Sequence, residues 1–339
     1  MPSPLFQSLS VSDQRDALEV AASRSGRPAH LLEKDIWVVQ TLRALVEAPI
    51  GEHLTFKGGT SLSKAYQVIR RFSEDIDITH DIRTIAPDLV KHDDEEPLPA
   101  TTSQASRWRR EIETRLPRWV REQALPAVEA NFAHASLSAQ VRAKGDRLLV
   151  GYTPLFSDYD FVQPEVLVEF GARATGEPRE RRPIACDAAV HVAEVEFPTT
   201  SPLVMAAERT FWEKATAVHV FCRQRTSGER RSRHWHDLVR LDDAGYGEAA
   251  LADREVSRSV ARHKSMFFRA KDAAGNWIDY PAAVNGDLQL VPDGPTHDAL
   301  ERDYARMVSN GMLLDDAEPF DDLMARCADL QQRANQAYQ

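Results

Sequence analysis

Two glycines and a pair of alternating aspartates lie within residues 56–80, FKGGTSLSKAYQVIRRFSEDIDITH. The apolar run before Gly58 predicts a short strand, Gly58 and Gly59 predict a turn, and the residues after them predict a helix that begins at this turn. Side chains alternate along a strand, so Asp75 and Asp77 are expected on one face and the isoleucines on the other. A strand, a glycine turn, a helix and a second strand in this order predict a mixed α and β fold.

The segments on either side of this stretch predict further helices and an insertion. Ser12 and Gly26 are predicted to cap a first helix, and a second helix is predicted from Pro28 to about Val46. Residues 84–104 are rich in proline and acidic residues, which predicts a solvent-exposed insertion.

The remaining chain reads first as strands and then as helices. A long helical region is predicted over residues 103–133, with breaks near Pro117 and Pro126. Four strand-like runs follow at residues 137–143, 146–152, 165–172 and 189–197. From residue 201 onward the periodicity predicts helices, except at residues 285–292. The organisation is therefore a mixed α/β part followed by a helical part.

Composition restricts the class of protein. The 339 residues carry a net charge of −10, which argues against a surface that binds nucleic acid everywhere but leaves room for local basic faces. Two arginine-rich segments, residues 107–121 and 223–233, are candidates for such faces, with solvated helix and loop surfaces as the alternative. The sequence indicates neither a membrane span nor a signal peptide, and three scattered cysteines fit reduced thiols, so a cytoplasmic protein without membrane contact is expected.

The glycine turn and the aspartates together suggest a site for a metal-bound triphosphate. Two carboxylates on one strand face can share hard divalent cations such as Mg²⁺, and a glycine turn before a helix offers backbone N–H groups to phosphates. A P-loop requires a glycine where Ser63 stands, which argues against that motif. The alternative for Asp75 and Asp77 is a polar strand face without a ligand.

Phosphoryl transfer with two metals also requires a third carboxylate and a cation. Glu169 lies between apolar neighbours in a strand that reads as buried, so it needs a partner; Glu165 is the weaker rival. An edge-strand or ion-paired glutamate is the alternative for Glu169. Lys214, Arg209 or Lys57 is expected to supply the cation that faces the triphosphate.

Several other polar and aromatic residues have a structural interpretation. Trp212 and Trp235 fit the core of helices better than base-stacking platforms. Glu33 and Asp35 are expected to complement the dipole at a helix start, with a role of Lys34 or Asp35 at the site as the alternative.

Six ordered sequence blocks carry a resemblance to a known family. The chain resembles the AbiEii/AbiGii-type nucleotidyltransferase toxins, within the DNA polymerase β-like nucleotidyltransferase superfamily, over roughly residues 30–336. The resemblance implies an α+β fold with a polymerase β-like mixed sheet and flanking helices, followed by a C-terminal helical domain. It implies a nucleotidyltransferase domain over residues 1–200 and a helical domain over residues 201–339 that contributes Lys214 and Asp237 to the site. The blocks are EKDIWVVQTLR, FKGGTSLSKAY, RFSEDIDI, VLVEFGAR, ERTFWEKATAVH and SRHWHDL.

The resemblance implies a role for each matching residue. The aspartate pair and Glu169 match the metal ligands, although many superfamily members have an aspartate at the third position. Lys214 matches the lysine that neutralises the triphosphate, and Asp237 matches an acidic position that orients the lysine or the nucleotide. Arg209 would join Lys214 or pair with Glu213. The nucleotide is expected to contact a set of residues around the glycine turn, namely Lys57, Gly58, Gly59, Thr60 and Ser61.

The activity that the resemblance implies is a metal-dependent transfer of NMP from an NTP to an acceptor. The cation is Mg²⁺, with Mn²⁺ as the alternative, and the acceptor is RNA, with the 3′ end of tRNA favoured. The biological role would be that of a bacterial toxin in phage defence, restrained by an antitoxin encoded beside it. Nucleotidylation of a protein hydroxyl and a nucleotide- or RNA-binding module without transfer stay open, as do the nucleotide used and the number added.

Overall fold

The computed structural model describes residues 3–90, 95–156, 163–226, 228–310, 312–313 and 317–337. The chain divides into two compact units, and the first consists of Met1–Ala65, Phe72–Glu95 and Arg110–Met205. The second consists of Tyr66–Arg71, Glu96–Arg109 and Ala206–Gln339. The second unit thus includes two segments that precede residue 200, the boundary predicted from the sequence.

The first unit is built on a mixed sheet of seven strands, in the order β3-β4-β5-β2-β1-β9-β6. The β2 and β5 strands are parallel, as are β1 and β9, and the other neighbouring strands are antiparallel. A second sheet pairs β7 with β8. The strands are β1 Leu54–Lys57, β2 Ile76–His80, β3 Ala139–Lys144, β4 Arg147–Tyr152, β5 Glu165–Gly171, β6 Arg179–Arg181, β7 Ile184–Ala185, β8 Thr199–Thr200 and β9 Leu203–Met205.

The helices that begin in the first half of the chain differ widely in length. They are α1 Val11–Ser25, α2 Ala29–Glu47, α3 Gly58–Lys64, α4 Ile82–Ile85, α5 Thr102–Trp119 and α6 Leu125–His134. The first has a left-handed C-cap at Gly26, as predicted, where φ is +73°. Its N-cap is Ser10, whose hydroxyl accepts from the N–H of Asp13, so the prediction of Ser12 was wrong by two residues.

The prolines of α5 and α6 do not break the helical region where the sequence predicts. Pro117 lies inside α5, and a π-helical segment, Val120–Ala124, links this helix to α6. Pro126 stands in the first turn of α6, where a missing N–H costs little. A wider π turn just before it relieves the clash that a proline ring makes with the preceding turn.

One predicted strand is absent, and two predicted helices have other boundaries. Residues 189–197 form no strand; a 3₁₀ turn, Asp187–Val190, precedes an irregular segment in which only Glu196 bridges to Leu5. Residues 203–205 form β9, where the sequence predicts helix. The predicted helix after the glycine turn ends at Lys64. Short strands such as these have too few residues for a period to distinguish them.

The predicted exposed insertion at residues 84–104 is in part a buried segment. Ile85 and Ala86 are buried, and so are Pro97 and Pro99, while residues 91–94 lie outside the described residues. Within the second unit, Glu96 accepts from Ser259 and pairs with Arg262. Because Glu96 has two partners within the protein, the acidic composition of this segment does not imply that all of it is exposed to solvent.

From residue 207 onward the second unit is built mainly of helices. Trp212 and Trp235 are buried, and their indole N–H groups donate to the carbonyls of Ala250 and Leu290 at 2.9 and 2.6 Å, as expected for core residues. The helices are α7 Ala207–Gln224, α8 Arg233–Asp243, α9 Tyr246–Ala252, α10 Arg254–Phe267, α11 Tyr280–Val284, α12 Gly294–Ser309 and α13 Phe320–Gln336.

The predicted α+β class is confirmed, because the first unit has a mixed sheet with flanking helices and a helical region follows. Within the described part of the chain, no helix is both long and apolar enough to cross a membrane.

Candidate active site

Four charged residues form a row across neighbouring strands of the seven-stranded sheet. Lys57 on β1 lies opposite Asp77 on β2, which lies opposite Glu169 on β5, which lies opposite Arg147 on β4. Residues opposite each other on adjacent strands share a face and stand about 5 Å apart. Ile76 is fully buried on the other face. The alternation predicted from DID therefore brings Asp77 and Glu169 side by side.

The glycine turn lies directly against Asp77. Gly58 has φ of +82°, and a Cβ atom at this position would stand 2.2 Å from Oδ2 of Asp77. Glycine is required here twice, because its backbone is left-handed and because the carboxylate occupies the space of a side chain. The turn that opens α3 and the strand that carries Asp77 thus form one compact feature.

Asp75 is positioned through its backbone, one residue before β2. The Thr60 hydroxyl donates to the carbonyl of Asp75 and lies 2.9 Å from the hydroxyl of Ser73. The Ser61 hydroxyl donates to the carbonyl of Gly58 at 2.9 Å. Both hydroxyls are buried and have partners inside the protein, so they fix the turn and the start of β2. Contacts of Thr60 and Ser61 with phosphate stay a prediction. Because the two hydroxyls already have partners, these contacts would be made by the backbone N–H groups.

Glu169 combines the two alternatives that the sequence left open. It forms an ion pair with Arg147 at 2.6 Å, and it stands beside Asp77. Burial raises the pKa of Glu169; the Arg147 charge opposes this rise, and the charges of Asp77 and Asp75 add to it. The three predicted metal ligands are therefore close enough to repel one another. Glu165, the rival, pairs with Arg142.

The second helix of the first unit holds both segments of this site. Lys34 forms an ion pair with Glu74, the residue before Asp75, at 2.5 Å, and donates to the carbonyl of Gln163 at 3.0 Å. Its neighbour Asp35 pairs at 2.5 Å with Lys64, the last residue of α3. Consecutive residues of α2 thus bind the approach to β2 and the helix that starts at the glycine turn.

Asp35 is buried in a network of charges, which shows that the prediction of a dipole role was wrong. The helix begins at Ala29, so Asp35 lies in its second turn. Lys64 also pairs with Asp187 at 2.6 Å. Burial raises the pKa of Asp35 to about 6, with the nearby Asp187 charge adding to the rise and Lys64 opposing it. The sequence did carry a signal of this network: residues 33–35 are three consecutive charges beside the apolar run of α2, and buried charges require partners.

In the second unit, Asp237 binds two cations. Arg71 contacts both of its carboxylate oxygens at 2.7 and 2.9 Å, and Lys214 binds Oδ2 at 2.8 Å. Asp237 is fully buried. Burial alone would raise its pKa, but the charges of Arg71 and Lys214 outweigh this effect and hold the pKa well below its usual range. The family resemblance implied that Asp237 orients either Lys214 or the nucleotide, and nothing in the sequence pointed to Arg71, which lies 166 residues away in the chain.

Arg209 has structural partners in the same unit. Its Nε stands 3.5 Å from Glu213 and its Nη1 donates to Ser259 at 3.2 Å. The side chain is buried. These contacts agree with the alternative of a structural salt bridge, and a contact with nucleotide stays a prediction.

The predicted site residues therefore form two groups. The first unit brings together Lys57, Gly58, Asp77 and Glu169, with Asp75 at the start of the same strand. The second unit brings together Lys214 and Asp237. Among the described residues, no three acidic, histidine or cysteine side chains form a ready-made metal-ligand cluster.

The chain is similar to a known protein family and to a solved structure. The model of a family described as "Nucleotidyl transferase AbiEii toxin, Type IV TA system" matches residues 40–326. Among solved structures, the chain is similar to MenT4, a nucleotidyltransferase toxin from Mycobacterium tuberculosis H37Rv, with 16% sequence identity and a TM-score of 0.40 over 97% of this chain and 88% of that one. A comparison with curated proteins found no match.

Proposed function

The chain belongs to the family of AbiEii nucleotidyltransferase toxins of type IV toxin-antitoxin systems, and on this basis we propose that it transfers NMP from an NTP to a hydroxyl of RNA. The favoured acceptor is the 3′ end of tRNA, and the proposed reaction takes place in the cytoplasm. The observation that carries the proposal is the row of Lys57, Asp77 and Glu169 across three strands, with Gly58 in contact with Asp77.

The donor set fits a divalent cation of the hard class. Burial, together with the charges of Asp77 and Asp75, raises the pKa of Glu169, and a bound cation would stabilise the charged carboxylates; oxygen ligands are those that Mg²⁺ and Mn²⁺ prefer. Asp75 and Asp77 would hold it, with Glu169 as a third ligand once its carboxylate leaves Arg147. When bound, the cation would neutralise charge on the triphosphate and on the reacting oxygens.

The remaining chemistry falls to residues of the chain itself. In the proposed reaction the acceptor hydroxyl attacks the α-phosphorus, its proton passes to Glu169, and the bond to the β-phosphate breaks to release pyrophosphate. A carboxylate with a raised pKa is better suited to accept this proton than an ordinary one. The backbone N–H groups of Gly58 and Gly59 and the ammonium of Lys57 would bind the leaving phosphates.

The roles of Lys214, Asp237 and Arg209 in nucleotide binding belong to the proposal on the strength of the family resemblance. Lys214 would contribute positive charge toward the triphosphate as a point charge. Asp237 would orient this lysine, which it binds at 2.8 Å. Arg209 would support Lys214 from the same helix.

The test is to supply the purified protein with each NTP labelled at the α-phosphate, with Mg²⁺, and with total RNA or total protein. Label in RNA, lost in Asp75→Ala and Asp77→Ala, supports the proposal. Label in protein instead supports nucleotidylation of a protein hydroxyl. If neither pool takes label while NTP still binds, the chain is a binding module.

The biological part of the proposal is a toxin that acts during phage infection and is restrained by an antitoxin encoded beside it. Expression in a bacterial host should slow growth, and co-expression of the neighbouring gene should restore it. Both aspartate variants should leave growth unaffected at equal protein levels. Growth inhibition by the Asp77→Ala variant would show that toxicity does not come from transfer.

A further inference from the structure

The segment that follows α10 forms a small hairpin within the second unit, here called the aromatic-basic hairpin and comprising residues 268–278. Lys271 and Trp277 face each other in an antiparallel bridge, and the N–H of Ile278 donates to the carbonyl of Ala270 at 3.0 Å. The Asp272 carboxylate closes the turn by accepting two backbone N–H groups at 2.9 Å each. The strands of the hairpin are thereby held in a fixed register.

This hairpin exposes aromatic rings, in contrast to the rest of the described chain. Trp277 is 55% exposed and Phe268 is 43% exposed. No other tryptophan, phenylalanine or tyrosine within the described ranges is exposed to this degree. A single exposed apolar side chain is common on protein surfaces. Two exposed aromatic rings in one hairpin form a larger apolar patch, which indicates a surface that contacts a partner.

Cations lie over both rings. The Arg269 guanidinium carbon is 3.9 Å from the centre of the Trp277 ring, and the Lys271 ammonium is 5.0 Å from it. The Lys264 ammonium is 4.7 Å from the centre of the Phe268 ring. These contacts hold the cations and rings in place without cancelling the charge, because a ring carries none.

Within the described chain, the cations of the hairpin form no ion pair with the acids next to them in the sequence, Asp272 and Asp279. The carboxylate of Asp272 is engaged in the turn, and that of Asp279 caps α11 by accepting from Ala282 at 2.9 Å. Among the described residues, neither Arg269 nor Lys271 forms an ion pair with a carboxylate. In α5, by contrast, Arg118 pairs with Glu122 at 2.9 Å, which makes that arginine-rich segment a weaker candidate.

The basic surface continues onto the end of α7. The N–H of Ala273 donates to the carbonyl of Arg223 at 3.0 Å, and an open cleft of about 490 Å³ lies between the hairpin turn and this helix end. Arg223 and Arg225 line the cleft and are exposed, and Asp272 and Asp293 line it as well. Arg225 pairs with Asp293, whereas Arg223 acts on Asp272 only from a distance and forms no ion pair within the described residues. The predicted basic segment 223–233 thus begins next to the hairpin.

We propose that the aromatic-basic hairpin binds unpaired bases of the RNA acceptor, with Trp277 as the stacking ring and Arg269, Lys271 and Arg223 as phosphate contacts. Aromatic rings beside arginine and lysine are the combination by which proteins bind single-stranded nucleic acid, since every base has a stacking face and every nucleotide a phosphate. A protein partner could pack against the rings, but several cations beside the rings are needed only for a ligand that carries negative charge, such as RNA. The assignment of RNA as the ligand rests on the function proposed above.

The test measures RNA binding separately from transfer. Fluorescence anisotropy of a labelled twelve-nucleotide RNA is recorded for the wild type, Trp277→Ala, Trp277→Phe and Arg269→Gln, with the exposed Arg302→Gln in α12 as the charge-matched control. Trp277→Ala should weaken binding on the order of tenfold, and Trp277→Phe should restore most of it. Arg269→Gln should reduce the slope of log affinity against log salt by about 0.7, the value for one phosphate contact on a single strand.

Further readouts separate the two proposals. The wild type should bind the single strand more tightly than the same sequence as a duplex, and Trp277→Ala should raise KM for RNA with little change in kcat. If the wild type labels RNA while Trp277→Ala and the control bind RNA equally well, the hairpin proposal fails and the proposed function stands. If Trp277→Ala weakens RNA binding but the wild type does not label RNA, the hairpin proposal stands and the proposed function fails. Loss of binding only to the neighbouring antitoxin would assign the surface to protein and overturn the hairpin proposal.

Discussion

Replacement of Gly58 by alanine isolates the contact between the glycine turn and Asp77. The new Cβ atom would lie 2.2 Å from Oδ2 of Asp77 and 3.0 Å from its Cγ, whereas ordinary contact begins at 3.4 Å. Rotation of the carboxylate alone does not relieve both contacts, so Asp77 has to retreat by about 1 Å, and a displacement of this size lowers a catalysed rate on the order of a hundredfold.

The matched control is Gly26→Ala at the end of α1. Gly26 has φ of +73°, close to the +82° of Gly58, and a Cβ atom there would meet nothing within 4 Å. Alanine in the left-handed region costs about 1–2 kcal/mol at either position. Both variants should therefore lose similar stability in urea unfolding, apart from strain around Asp77, and only Gly58→Ala should lose transfer of labelled nucleotide. Equal activity of the two variants would refute the proposed use of Asp77 beside the turn.

Three further predictions concern the buried charges and the cation. Asp237→Asn leaves Arg71 and Lys214 without their shared counter-ion and should lower the free energy of unfolding by about 3–5 kcal/mol. Lys214→Ala keeps the pair with Arg71, so it should cost less in urea unfolding but weaken NTP use; the reverse order of stability would contradict the observed pairing. Because the pKa of Asp35 is raised from its ordinary 3.8 to about 6, its contribution to stability should be full below the lower value and fall as pH rises through the higher one. Asp35→Asn should remove this fall in melts at pH values on either side of the window, and an unchanged slope would show that Asp35 does not titrate there. Mg²⁺ should raise the Tm of the wild type but not of Asp77→Asn, because a cation that binds only the folded carboxylates stabilises the fold; equal shifts would place the cation elsewhere.

The parts of the site that lie close together in the sequence could be predicted, because they follow from the alternation of side chains along a strand and from the chemistry of a turn. Alternation in IDITH places Asp77 opposite the apolar face, and the strand with Glu169 alternates in the same way. Gly58 was identified from its turn chemistry, and its contact with Asp77 then followed from the antiparallel pairing of β1 with β2. Once these strands pair, their polar residues fall into one row.

The long-range partners could not be predicted, because ion pairs between distant segments have no sequence period. Arg71 stands in a loop and meets Asp237 far along the chain, and Arg147 enters the row only through the register of β4 with β5. Asp35 was misjudged because charge at the start of a helix is usually solvated, whereas tertiary packing buries this one beside Lys64. Trp277 was missed since exposure of a single ring depends on the hairpin around it.

The most direct test of the central claim is to compare transfer from an NTP labelled at the α-phosphate with transfer from one labelled at the γ-phosphate, in the wild type and in Asp77→Asn. The account predicts that the wild type transfers the α-label to the acceptor and releases the γ-label in pyrophosphate. The Asp77→Asn variant should neither transfer the α-label nor release the γ-label. Transfer of the γ-label to the acceptor, or undiminished transfer by Asp77→Asn, would contradict it.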